Sequence, residues 1–189
     1  MALADSLVLA GAVSPEARVR AAVDAHYDAV WRFLRRMGVA ERDAEDAAQQ
    51  VLIVLCQRIG AVAEGAERGF LFGTALRVAA DYRKKRGRRR ETAVDDERLL
   101  DREHPAPGPL AAIVEQERLA CLDKALDAMP PELREVFVLA DVEELTMAEI
   151  AQVLSIPPGT VASRLRRARA AFEANALAVR ASLHQGTPS

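Results

Sequence analysis

Aromatic residues are scarce in this chain, at 4% of 189 positions. Ala, Leu, Val, Arg and Glu dominate instead, side chains that mostly lose little rotamer freedom in a helix. No segment shows the clean alternation of a half-buried strand, so an all-α protein is expected. Cysteine is nearly absent too. Cys56 and Cys121 stand far apart without C-x-x-C spacing, which excludes a disulfide framework or a zinc site and predicts two buried thiols. The three histidines, His26, His104 and His184, are scattered. No Ser/His/Asp spacing accompanies them, so no nucleophile or metal site can be assembled, and neither an enzyme nor a cofactor is expected. His26, beside Tyr27, reads as structural.

Long apolar runs are missing as well. Nothing approaches the ~20 residues that span a bilayer. Residues 1–14 open with the apolar Met1 to Ala10, but no Lys or Arg precedes that stretch and Asp5 interrupts it. A signal peptide needs a positive start. The segment therefore reads as an N-terminal extension of a cytoplasmic protein, with no membrane insertion.

What is present is charge, and it is polarised. The formal net charge is −2, yet Arg68 to Arg90 carries a local +8, with Asp81 the only acid, and Glu91 to Glu117 carries −6. Local fields of this size decide partners, and the whole-chain sum does not.

The pattern divides the chain into two helical modules. Ser14-Pro15-Glu16 combines a capping hydroxyl, a proline at the first helical position and an acid near the positive end of the dipole. Val19, Val23, Tyr27, Val30, Leu34 and Met37 then recur at steps of three and four, and Gly38 ends the helix. A second helix is predicted over about Asp43 to Ile59, with Ala44, Ala48, Leu52, Leu55 and Ile59 on one face. Gly60 to Gly69 reads as a loop. A third helix runs from about Phe70 into the basic run, with Leu71, Ala75, Val78 and Tyr82 inward. These elements form a domain over 15–90. Residues 91–111, which contain His104-Pro105-Ala106-Pro107-Gly108-Pro109, form an acidic, flexible linker, because proline lacks the N–H that helix and sheet need. In a second domain, 112–178, Leu119, Leu122, Leu126 and Met129 mark a fourth helix. Leu133, Val136, Phe137 and Ala140 mark a fifth. The tail, 179–189, is expected to fray.

The sharpest signal lies near the end. Thr146-Met147-Ala148-Glu149 is a capping box, and Ile150, Ala151 and Leu154 give its short helix a buried face. Ser155-Ile156-Pro157-Pro158 breaks that helix, and Gly159-Thr160-Val161 opens a longer one with Val161, Leu165, Ala168 and Phe172 inward. Ser163, Arg164, Arg166, Arg167 and Arg169 face the other way. A short helix, a tight turn and an arginine-faced second helix make a helix-turn-helix, which sets its second helix in the major groove.

At these residues the chain resembles a known family. Leu122 to Leu126 and Met129 to Leu139, followed by Glu149 to Leu154 and Gly159 to Arg169, look like region four of the bacterial extracytoplasmic-function (ECF) sigma factors. Tyr27 to Leu34, Asp43 to Val51, and Phe70 to Phe72 leading to Asp81-Tyr82-Arg83 resemble region two. The family often has tryptophan at the position of Phe70, asparagine at that of Arg77, an acid at that of Gln50 and glycine at that of Ser155.

The resemblance implies a factor that binds core RNA polymerase and directs it to promoters. Asp46, Gln49, Gln50 and Ile53 would dock on the clamp coiled coil, the first three forming one polar ridge at i, i+3 and i+4. Arg77, Tyr82, Arg83, Lys84, Lys85, Arg86 and Arg88 would meet the minus-ten element, where strand opening calls for a basic groove and a pocket for unstacked bases. Thr160, Ser163, Arg164, Arg166, Arg167 and Arg169 would meet the minus-thirty-five element. Arg164 and Arg167 would read base edges, and Arg166 and Arg169 would hold phosphate. The apolar side of this module would face the polymerase flap, and an anti-sigma protein is a further partner the resemblance admits. The rival reading is a stand-alone helix-turn-helix regulator that binds DNA as a dimer without polymerase. The two-domain order and the missing effector domain argue against it.

Overall fold

The computed structural model describes residues 14–92 and 121–185. The N-terminal extension up to residue 13, residues 93–120 (most of the linker and the start of the second domain, Leu119 included) and the last four residues lie outside them. Among the described residues the structure is helical without strands.

The first helix, α1 (Pro15–Arg36), is capped as its sequence requires: the Ser14 hydroxyl accepts from the Ala17 N–H at 3.2 Å. At its other end Gly38 takes φ +88°. The Gly38 N–H bonds to Arg35 O and the Val39 N–H to Leu34 O, the paired closure that favours glycine in the left-handed region. Helix α2 (Glu41–Arg58) lacks a side-chain cap and carries Glu41 and Asp43 in its first turn instead, where the dipole favours acids. Its buried face is Ala44, Ala47, Ala48, Val51 and Leu55.

A 3-10 turn (Ile59–Ala61) and a loop lead to α3 (Glu67–Thr92). This helix starts three residues before Phe70 and continues through residues 91 and 92, which the sequence reading assigned to the linker. The Thr74 hydroxyl donates to Phe70 O at 2.8 Å, so a poor helix former is buried with its polar atom satisfied. Phe33 of α1 and Phe72 of α3 meet edge to face, with ring centroids 5.0 Å apart. They anchor the core of the first module.

In the second module, residues 121–127 are helical (α4). Pro130 caps α5 (Pro131–Phe137), which runs on into a π-helical segment (Val138–Val142). Helices α6 (Met147–Leu154) and α7 (Pro158–Gln185) complete it. Phe172 of α7 stacks on Phe137 with centroids 4.5 Å apart. Two expectations need correction. Helix α7 runs on to Gln185, into residues the sequence reading gave to a fraying tail from 179. Cys56 is exposed and Cys121 only half-buried, because Cys56 follows buried Leu55 by one 100° helical step and so turns away from the core.

The modules also touch each other. Helix α6 lies against α3, where Val153 comes within 3.9 Å of the place a Cβ would take on Gly73. The buried residues of both modules form one continuous cluster.

Candidate nucleic-acid interface

The helix-turn-helix is built locally. Thr146 Oγ1 accepts from the Glu149 N–H at 3.3 Å, and the Glu149 carboxylate accepts from the Thr146 N–H at 2.7 Å. The Thr146 hydroxyl also donates to that carboxylate at 2.7 Å, and the two bonds it accepts hold the Glu149 carboxyl below the usual carboxylate range, the hydroxyl contributing most. Helix α6 ends at Ser155, which adopts the left-handed conformation at φ 53°. The backbone thereby reverses within one residue, and Pro158 starts α7.

On α7, Val161, Leu165 and Ala168 are buried, and Ser163, Arg166 and Arg167 are exposed. Ser163 donates to Thr160 O at 3.0 Å, which holds the first turn, and Thr160 is half-buried. The remaining two arginines are engaged. Arg169 forms a two-pronged pair with Asp141 at 2.9 and 2.6 Å. Arg164 is half-buried and near enough to Glu135 to pull that carboxyl's pKa down against the stronger upward push of burial.

The basic end of α3 is arranged differently. Arg77, Lys84, Lys85 and Arg86 are exposed, with the Lys85 ammonium 5.4 Å from the Tyr82 ring centre. Tyr82 is half-buried. Burial raises its hydroxyl pKa first, and the carboxylates of Asp46 and Asp43 on α2 add to that. Arg83 is half-buried, donating to Met37 O at 2.7 Å and lying 3.7 Å from Glu135. The Arg88 side chain lies outside the described residues. On α2, Asp46, Gln49 and Gln50 are exposed, and Ile53 is 55% exposed beside them. An apolar side chain left in water on a polar ridge suits contact with another protein.

Sequence reasoning missed three groups. Arg18 donates to Val62 O at 2.7 Å and to Glu67 Oε1 at 2.8 Å, pinning both ends of the loop before α3 from 44 and 49 residues away. Glu135 and Glu143 face arginines of the first module. No local signal marks any of the three, since each partner is distant in sequence.

The comparisons with known proteins agree with this geometry. Residues 22–89 match sigma-70 region 2, and residues 119–172 match sigma-70 region 4. The ECF RNA polymerase sigma factor SigD of Mycobacterium tuberculosis is 30% identical over 148 residues, covering 74% of this chain and 68% of SigD. This chain belongs to the ECF family of RNA polymerase sigma factors. A second ECF relative, SigE of Mycolicibacterium smegmatis, is 35% identical over 146 residues, or 76% of this chain. The aligned part spans 56% of that longer protein. Among solved structures, the sigma factor RpoE in complex with the anti-sigma factor NepR from Bartonella quintana matches with a TM-score of 0.66. That match has 19% identity and covers 82% of this chain and 94% of RpoE. CnrH, in complex with the cytosolic domain of CnrY, matches with a TM-score of 0.61 and 23% identity, covering 85% of this chain and 88% of CnrH. At these identities the two structures speak for the sigma-factor fold. No helix among the described residues is long and apolar enough to cross a membrane.

Proposed function

We propose that this sigma factor recruits core RNA polymerase to promoters by dividing the labour between its modules. The α2 ridge of Asp46, Gln49, Gln50 and Ile53 docks on the clamp coiled coil. The loop before α3 and the basic face Arg77, Tyr82, Arg83, Lys84, Lys85, Arg86 and Arg88 hold the opened minus-ten strand. The α7 face of Thr160, Ser163, Arg164, Arg166, Arg167 and Arg169 enters the major groove at minus thirty-five, and the apolar side of that module rests on the flap. Arg164 and Arg167 read base edges there. Arg166 holds phosphate, and Arg169 does so on leaving Asp141. Linking two weak sites raises the effective concentration of each for the same promoter.

The observation that carries this reading is the arginine face of α7, launched from a capped and sharply turned α6 behind a region-two module. The reaction is the polymerase's own, so the chain acts as a non-enzymatic factor in the cytoplasm and needs no cofactor. Both solved neighbours are held by partner proteins, and we infer a partner of the anti-sigma class for this chain too.

Run-off transcription with purified core enzyme and a library of promoter fragments tests the proposal. The expected result is transcripts from a defined subset of fragments only when the chain is added. Unchanged transcription, together with no retention of core enzyme in a pull-down, would overturn it.

A further inference from the structure

Between the two modules lies a charged seam that the functional reading leaves unused. Arg36, Arg68 and Arg83 stand on the first module. Glu135 and Glu143 stand on the second. The Glu143 side chain is only 7% exposed, its carboxylate lies 3.6 Å from Arg36 Nη1, and its backbone oxygen accepts from Arg68 Nη2. Glu135 lies 3.7 Å from Arg83 and also faces Arg164 of α7. Arg134 closes the seam by donating to Arg36 O at 3.3 Å. Burial raises the pKa of both carboxyls, and the arginines of the seam pull the other way. Taking carboxylates out of water is unfavourable unless guanidinium groups compensate.

Two facts make this more than a packing detail. Glu135 faces one arginine from each proposed DNA surface, Arg83 for minus ten and Arg164 for minus thirty-five. The closed arrangement is also too small for the task. Elements named for positions ten and thirty-five are about 25 base pairs apart, or roughly 85 Å at 3.4 Å per pair. A compact chain of this length has a radius of gyration near ~16 Å and is roughly 40 Å across. The modules must separate to engage both elements, and separation uncovers Arg36, Arg68, at the start of α3, and Arg83, at its basic end.

We propose that Arg36 and Arg68 extend the α3 surface into a phosphate-binding strip for promoter DNA, and that Glu135 and Glu143 occupy this strip in the free chain as built-in stand-ins for phosphate. Guanidinium groups accept carboxylate and phosphate in the same geometry, which lets one replace the other. The free factor is therefore self-masked, and DNA competes with its own second module. This rests on the sigma-factor reading above.

Two experiments on the full chain test it. In the first, Glu135→Gln with Glu143→Gln removes both charges and keeps their shapes. Binding to a fluorescein-labelled single-stranded 20-mer and to a random duplex is measured without polymerase. The charge-matched control is Asp24→Asn with Asp28→Asn on the exposed side of α1. The seam variant should bind about tenfold more tightly than the control, a free-energy difference of one decade in affinity. Adding Arg36→Ala and Arg68→Ala should return it to the control. Equal affinity of seam variant and control overturns the mask, and no loss on adding the arginine changes overturns the strip.

The second experiment does not depend on how the glutamine variants fold. Gly73→Cys with Val153→Cys, in a Cys56→Ser, Cys121→Ser background, places two thiols across the seam, where both Val153 methyls lie 3.9 Å from the place a Cβ would take on Gly73; loss of free thiol on oxidation confirms the cross-link. Oxidised protein should fail in run-off transcription and recover on reduction. Full activity of the oxidised form overturns the proposal. Activity of the reduced form checks the sigma-factor reading by itself, so the two failures are distinguishable.

Discussion

The two proposed DNA surfaces are made in opposite ways. The α7 face is assembled within about twenty residues: the capping box starts α6, Ser155 turns the chain, and Val161, Leu165 and Ala168 set the helix's rotation. The first-module surface is assembled from far apart. Arg18 of α1 holds Val62 and Glu67, and Arg83 of α3 holds Met37. The local device leaves Arg166 and Arg167 exposed and engages only Arg164, beside Glu135, and Arg169, on Asp141. A long-range device commits some of its cations to structure. The same charge run thus divides into exposed Lys84, Lys85 and Arg86 and engaged Arg83.

The largest effect expected from breaking this contrast is in the first core. Phe33→Ala should destabilise the chain by about 3–5 kcal/mol, as a fully buried ring packed on Phe72 is lost. Denaturant unfolding followed by circular dichroism measures it. Next is the long-range clamp. Arg18 and Glu67 retain side-chain exposures of only 13% and 15%. Arg18→Ala should cost about 2–3 kcal/mol, somewhat below a fully buried broken pair, and promoter opening read by permanganate footprinting should fall more than promoter binding.

The α7 face sharpens the comparison from the other side. Arg167→Ala should cost about 1–3 kcal/mol on the preferred site if the side chain reads a base, measured as the affinity of holoenzyme for matched and scrambled minus-thirty-five sequences. Arg164→Ala should lose a similar amount there. Arg166→Ala should instead weaken all sequences alike. The smallest effect is local: Thr146→Ala should cost about 1 kcal/mol of stability. Because the folded Glu149 carboxyl sits below its unfolded value, the capping contribution is present above the unfolded pKa and is lost as pH falls through the folded one. In Thr146→Ala that part of the acid dependence should shrink.

This division also explains what could be read from the residues alone. The helix order, the Ser14 cap, the Gly38 stop and the capping box at Thr146 follow from short-range rules, and the structure carries each of them. The charge tally located the basic end of α3 but could not show that Arg83 turns inward, since its partners Met37 and Glu135 are 46 and 52 positions away. Arg169 stood on the expected face of α7. Its pairing with Asp141, 28 residues earlier, was equally out of reach. Cys56 was misplaced because α2 buries its alanines, Val51 and Leu55, and that helix phase turns the thiol outward.

The most direct test of the account is a single transcription series in which core polymerase, one responsive promoter and the purified chain are combined, with wild type compared to Arg164→Ala, Arg167→Ala. The account predicts specific initiation with wild type and at least about a tenfold drop with the double variant, with core-enzyme retention unchanged. Initiation that is indifferent to the chain, or equal for both proteins, would contradict it.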